Sequence, residues 1–198
     1  MSNLDFFDDF EVSSSYDSEG RALSIEQEDF FKTSKCVDEE NSLLVLYHAS
    51  NNEFNTFDIK RAGSGGGCIY GKGFYFCDDN FGLDIYGKYI KEYYLNLKNP
   101  FIWKDDNIDD FVLMLERNNF VVTDDLRQQL EEDILENDGG LDTVIELTCG
   151  IDLAHKYFMR AGYDGIMNLD IGDYVAFKPE QIKLCSNKMP SATADIAA

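Results

Sequence analysis

Residues 70–77, Tyr-Gly-Lys-Gly-Phe-Tyr-Phe-Cys, decide between two folds. With Gly66, Gly67, Cys68 and Ile69 before them they come within one residue of a phosphate-binding loop. That loop needs a Ser or Thr directly after its lysine to hold magnesium. Gly73 stands there instead. A phosphate loop must also open a helix, whereas Phe74 to Cys77 is aromatic and reads as a strand. The segment is therefore a glycine-rich loop (Gly63 to Gly73) that feeds a strand, and a kinase-like nucleotide site loses its support.

The neighbouring segments extend this reading. Upstream, Leu43 to Tyr47 is a short apolar run that predicts a buried strand. Downstream, Asp78 or Asp79 is placed to cap a short helix reaching Tyr86. Tyr93 to Leu97 predicts the next strand, ended by Asn99 and Pro100. Two helices are expected beyond it, over Asp109 to Asn118 and after Thr123, where Leu126, Leu130 and Ile134 recur at helical spacing. Gly139-Gly140 breaks that pattern. Ile151 to Ala161 predicts a further helix stopped by Gly162, and short strands follow around Gly165 to Met167 and Tyr174 to Phe177. Strands flank a helical insert without regular alternation, which gives an α+β fold.

Composition bounds the function. The 198 residues suit one domain, with 44% hydrophobic residues to fill its core. A formal charge of -21 repels nucleic-acid phosphates and favours a basic protein as partner. Five scattered cysteines, none in a CxxC pair, speak against a disulfide framework or a zinc site and fit a cytoplasmic setting. Neither His48 nor His155 has a helical partner for a metal, and Cys77 reads as a small core residue. No signal peptide or membrane span is expected. Residues 1–42 carry 12 acidic and 3 basic side chains, a net of −9, and read as an acidic appendage that is mobile or loosely packed. The domain is expected over 43–185, with a flexible tail over 186–198.

Three fragments stand out together: Leu46-Tyr47-His48-Ala49-Ser50, then Tyr70 to Phe76 followed by Tyr86, eleven residues after Tyr75, then Gly172 to Phe177 followed by Gln181-Ile182. They resemble the motifs of the H-Y-E class of ADP-ribosyltransferases, which includes the poly(ADP-ribose) polymerases and diphtheria toxin. The resemblance is strongest to the ADP-ribosyltransferase-like domains of phage polyvalent proteins. The stretches that carry it are YHAS (47–50), GKGFYF (71–76), DIYG (84–87), YDGI (163–166) and DYVAFKPEQIK (173–183). It spans about Leu43 to Leu184.

The resemblance implies a split β-sheet around a cleft for NAD, with His48, Tyr75 and Asp173 as its motif residues. Tyr75 and Tyr86 would sandwich the nicotinamide, since a flat cationic ring stacks well on tyrosine. His48 would hydrogen-bond a ribose hydroxyl, and the backbone of Ala49 would pair with the carboxamide. Asp173 would orient the other ribose and face the positive charge that develops as nicotinamide leaves. Ser50, Gly73 and Phe76 belong to the same cofactor-binding set. Lys60, Arg61 and Lys72 beside the glycine-rich loop are the cations for the pyrophosphate. Three departures mark this chain: Asp173 stands where Glu is usual, Ala49 where Gly follows the histidine, and Leu83 where the polymerases often carry Ser.

The implied function is mono-ADP-ribosylation of a macromolecule, a protein in the first instance, by a phage or bacterial effector. Two other readings stay open. One is a degenerate transferase fold that serves as an acidic binding or inhibitor module. The other is an NAD glycohydrolase.

Overall fold

A computed structural model describes residues 12–54, 56–63, 68–104, 108–137 and 140–185. The strands are β1 (Leu46–Ser50), β2 (Phe74–Cys77), β3 (Tyr89–Leu95), β4 (Phe101–Trp103), β5 (Gly165–Asn168), β6 (Asp173–Ala176) and β7 (Ile182–Leu184). The helices are α1 (Ile25–Phe31), α2 (Ile108–Arg117), α3 (Asp124–Asn137), α4 (Leu141–Leu147) and α5 (Ile151–Arg160). The seven strands run in the order β4-β5-β6-β2-β1-β3-β7, antiparallel except for the β4–β5 pair. Helices α2 to α5 form the insert between β4 and β5, so the fold is α+β.

The middle of the sheet is thin. β1 pairs with β3 over five residues, but with β2 at one position, Tyr47 opposite Cys77. The seam between β2 and β1 therefore divides the sheet into a half of β4, β5, β6 and β2 and a half of β1, β3 and β7. On one face a single cluster bridges both halves, with Leu46, Tyr93, Leu95 and Ile182 against Phe74, Phe76, Tyr174 and Ala176. On the other face the halves carry separate cores. Phe101, Trp103, Ile166 and Val175 pack under the helical insert, while Val45 and Tyr94 pack under Leu23, Phe31 and Leu43. The line where those two cores approach runs along the seam, where Tyr47, Ala49, Tyr75, Cys77 and Asp173 are all only half-buried.

Several expectations shift. β1 begins three residues late because Leu44 N bonds Cys36 O and Val45 N bonds Ser18 Oγ, so the start of the apolar run serves the N-terminal segment. β3 begins early because residues from Tyr89 onward pair with β1. The helix expected from Asp78 or Asp79 to Tyr86 is a single 3-10 turn, Leu83–Ile85, entered by Gly82 at φ +75°. Elements α1, α4, β4 and β7 had no counterpart in the sequence reading. The second glycine of the Gly139-Gly140 break lies at the α4 N-terminus; Gly139, residues 1–11 and the tail over 186–198 lie outside the described residues.

The acidic segment before Leu43 packs tightly where it is described. Phe31, Ser34 and Cys36 are fully buried. Asp17 is buried too, accepting from Tyr94 Oη at 2.6 Å and from Arg21 Nε at 2.6 Å. Ser24 and Gln27 form a capping box that starts α1 and delivers Phe31 edge-on to Tyr94. Replacing Phe31 with alanine is predicted to cost about 3–5 kcal/mol in urea unfolding, by lost transfer energy and a cavity. Phe30→Ala, at a side chain 37% exposed, should cost far less. Equal, small losses for the two would show that this segment does not contribute to the core.

Candidate active site

β2 alternates, with Phe74 and Phe76 buried and Tyr75 and Cys77 half-buried on the opposite face. Tyr75 leaves the strand toward the loop before it. Its hydroxyl donates to Gly71 O at 2.7 Å and accepts from Tyr70 N at 3.0 Å, and its ring stacks on that of Tyr70 at 6.1 Å between centroids. Gly73 allows this approach of loop and strand, since a Cβ there would collide with Val175 Cγ1.

Asp173 opens β6 directly opposite Cys77. The turn before it requires Gly172, which sits at φ +72° with no room for a Cβ against the Asp78 carboxylate. The Asp173 carboxylate accepts from Tyr70 Oη at 3.3 Å and Cys77 Sγ at 3.4 Å. Burial raises its pKa above the usual carboxylate range, the Cys77 and Tyr70 hydrogen bonds pull it down, and Asp78 and Asp142 push it up further. Burial, then the negative charge of Asp173, pushes the Cys77 thiol up to about 12 and also raises the Tyr70 hydroxyl, so both remain protonated donors. Cys77 is thus a half-exposed partner of Asp173 and not the small core residue that its strand position predicted. None of the ion pairs among the described residues involves Asp173.

His48 approaches the seam from the other face. It stands among Phe57, Phe76, Phe54 and Tyr93, with centroids 5.1, 5.4, 5.8 and 6.3 Å away. Its Nδ1 lies 2.7 Å from Tyr75 O. A carbonyl only accepts, so Nδ1 carries the proton and Nε2 presents a lone pair. Burial lowers the pKa of His48, against the bond to Tyr75, so the ring is neutral at pH 7.

The other expected residues are placed as follows. Ala49 and Ser50 continue β1 opposite Ile90 and Tyr89, and Ser50 Oγ donates to Asn52 O at 2.7 Å. Phe76, from the expected cofactor-binding set, is 1% exposed and packs against His48 from within the sheet's apolar cluster. Tyr86 is 53% exposed at the end of the 3-10 turn, while the partner that Tyr75 stacks on is Tyr70. Arg61 ends a separate 3-10 turn (Ile59–Arg61), and the bond of Gly63 N to Gly73 O brings that turn alongside the exposed Lys72. Thus Tyr75 and Asp173 meet through Tyr70, and His48 meets Tyr75 through its backbone carbonyl. The sequence reading missed Tyr70, Asn168, Phe54 and Phe57. Tyr70 lies inside the quoted motif, and Phe54 and Phe57 are closely spaced aromatics just after His48.

With these positions established, the sequence model of a family described as ADP-ribosyltransferase in polyvalent proteins matches residues 38–192. The chain belongs to that family. No curated protein matches this family member. A solved structure titled as that of an anti-CRISPR protein resembles it at 14% identity over 71% of this chain and 93% of the other, with a TM-score of 0.39. That likeness is too slight to bear on what the chain does. Among the described residues of this ADP-ribosyltransferase relative, no helix is long and apolar enough to cross a membrane.

The His48 geometry yields a pH prediction. Its folded pKa lies below the unfolded value of about 6.5, so its contribution to stability is intact above that value and is lost as the pH falls toward the folded pKa. The pKa of His155 is lowered in the same sense. Urea midpoints should therefore fall between pH 7.5 and 5, and less steeply in His48→Asn. Nitrogen-15 spectra should place the His48 proton on Nδ1; a proton on Nε2 would contradict the bond to Tyr75 O.

Proposed function

We propose that the chain transfers ADP-ribose from NAD to a macromolecular target, a protein of basic character. The observation that carries this reading is the Asp173 carboxylate. It is half-buried at the seam, held by a neutral hydroxyl and a neutral thiol, and unmatched by any ion pair among the described residues. A carboxylate desolvated without a counter-charge favours a ligand that brings positive charge of its own. NAD supplies that chemistry: its cationic nicotinamide leaves with the bonding electron pair, and the ribose carbon becomes electron-deficient before an acceptor bonds to it and gives up a proton.

The residues divide the work. Asp173 faces the developing charge, and Tyr75 offers an aromatic surface for the nicotinamide. His48 Nε2, with its lone pair directed by the Nδ1 bond to Tyr75 O, accepts from a ribose hydroxyl. Lys60, Arg61 and Lys72 offset the pyrophosphate beside the glycine-rich loop. The charge of -21 recruits a basic target by long-range attraction. That same charge favours a second reading, an acidic binding module that does no chemistry.

Incubation of the full chain with NAD labelled in its adenylate half, in a bacterial lysate, separates the readings. Transfer predicts label on a discrete acceptor, reduced by about 10²–10³-fold in Asp173→Ala and lost in Tyr75→Ala. Nicotinamide release without a labelled acceptor would mark a glycohydrolase. Neither product, from folded protein, would leave the binding module.

A further inference from the structure

Tyr70 has three connections that its family motif does not explain. It is 1% exposed, so it contributes no surface of its own. Its hydroxyl accepts from Asn168 Nδ2 at 3.0 Å and lies 3.3 Å from Asp173 Oδ2. Because Asn168 occupies the oxygen as a donor, the phenolic proton is directed to the carboxylate. The bonds therefore have one polarity, from amide to phenol to carboxylate. Asn168 and Asp173 are also direct partners across β5 and β6, so the sheet register fixes the two groups between which the Tyr70 hydroxyl lies. At its other end Tyr70 is bound to Tyr75, through the backbone bond to the Tyr75 hydroxyl and through the stacked rings.

We propose that Tyr70 is the positioning residue of this site, holding the Asp173 carboxylate through its hydroxyl and tying it to the Tyr75 ring. The assignment rests on the reading of Asp173 and Tyr75 as the pair that meets NAD. It also accounts for a short acid at this position. Asp173 is anchored by two donors from neighbouring segments, Tyr70 from the loop and Cys77 from β2, and so its orientation does not depend on a longer side chain. The titratable groups that face it are Tyr70, Cys77, Asp78 from the end of β2 and Asp142 from α4. Only the first two stabilise its charged form.

Tyr70→Phe removes the hydroxyl and keeps the ring. Nicotinamide release from NAD by the full chain should then show kcat reduced by about tenfold to a hundredfold, as for a misplaced reacting group. KM should stay within about twofold, because the stacked surface remains. The acid limb of the pH–rate profile should move to higher pH, since losing a donor to the carboxylate raises its pKa. Carbon-13 titration of the Asp173 carboxyl, which needs no activity, should move in the same direction. Asn168→Ala should give the same signature more weakly, and it supplies the measurement if Tyr70→Phe does not fold. An active wild type with unchanged kcat and unchanged acid limb in both variants would overturn the proposal and leave the transferase reading standing. An inactive wild type would instead overturn that reading. The carboxyl titration would then decide alone: an unmoved Asp173 pKa removes the positioning role, and a raised one retains it for whatever cation the site binds.

Discussion

β1 and β2 are paired at Tyr47 and Cys77 alone, and farther along the seam the Tyr75 carbonyl takes a side-chain donor from β1. That donor is the Nδ1 of His48. A carbonyl left bare at that depth would cost about 1–3 kcal/mol, so the imidazole does structural work before any ligand arrives. The same bond sets the tautomer of the ring and leaves the free lone pair on Nε2. The aromatic residues around His48, Phe54 and Phe57 from one loop and Phe76 and Tyr93 from the strands, keep the ring neutral by excluding water.

The acidity of the chain acts at two ranges. Most of its 38 carboxylates set a long-range field. Asp173 acts locally, because burial removes the water that would otherwise screen it. Its neighbours are protonated donors whose own pKa values rise in its presence. The Asp173 carboxylate is thus held by two neutral donors, while the turn carrying Lys60 and Arg61 lies alongside the exposed Lys72.

Much of the fold was legible because its determinants are local. Phe74 to Cys77 alternates as a strand should, Thr123 caps α3 by accepting from Leu126 N at 3.2 Å, and Gly162 ends α5 at φ +98°. β4 and β7 were not legible, since a three-residue strand is defined by its neighbours and leaves no periodicity of its own. α1 was concealed by acidic composition, although Ser24 and Gln27 spelled its capping box. At the candidate site, the motif order pointed to Tyr75 and Asp173, but the contact between them runs through Tyr70, 103 residues before Asp173. No spacing rule reports a contact of that separation. Phe76 belongs to the motif yet faces inward, because β2 must place alternate residues on opposite faces.

The continuous apolar cluster on one face and the divided cores on the other have a mechanical consequence. Sliding one half-sheet past the other would disrupt the packing of Phe74, Phe76 and Tyr93 at once. Rotation about that cluster would keep its packing and load chiefly the Tyr47–Cys77 pair, the His48 bond to Tyr75 O and the Gln181 bond to Asp164 O. The soft direction of this molecule is therefore the opening of a book whose spine is the aromatic cluster, a hinge and not a shear.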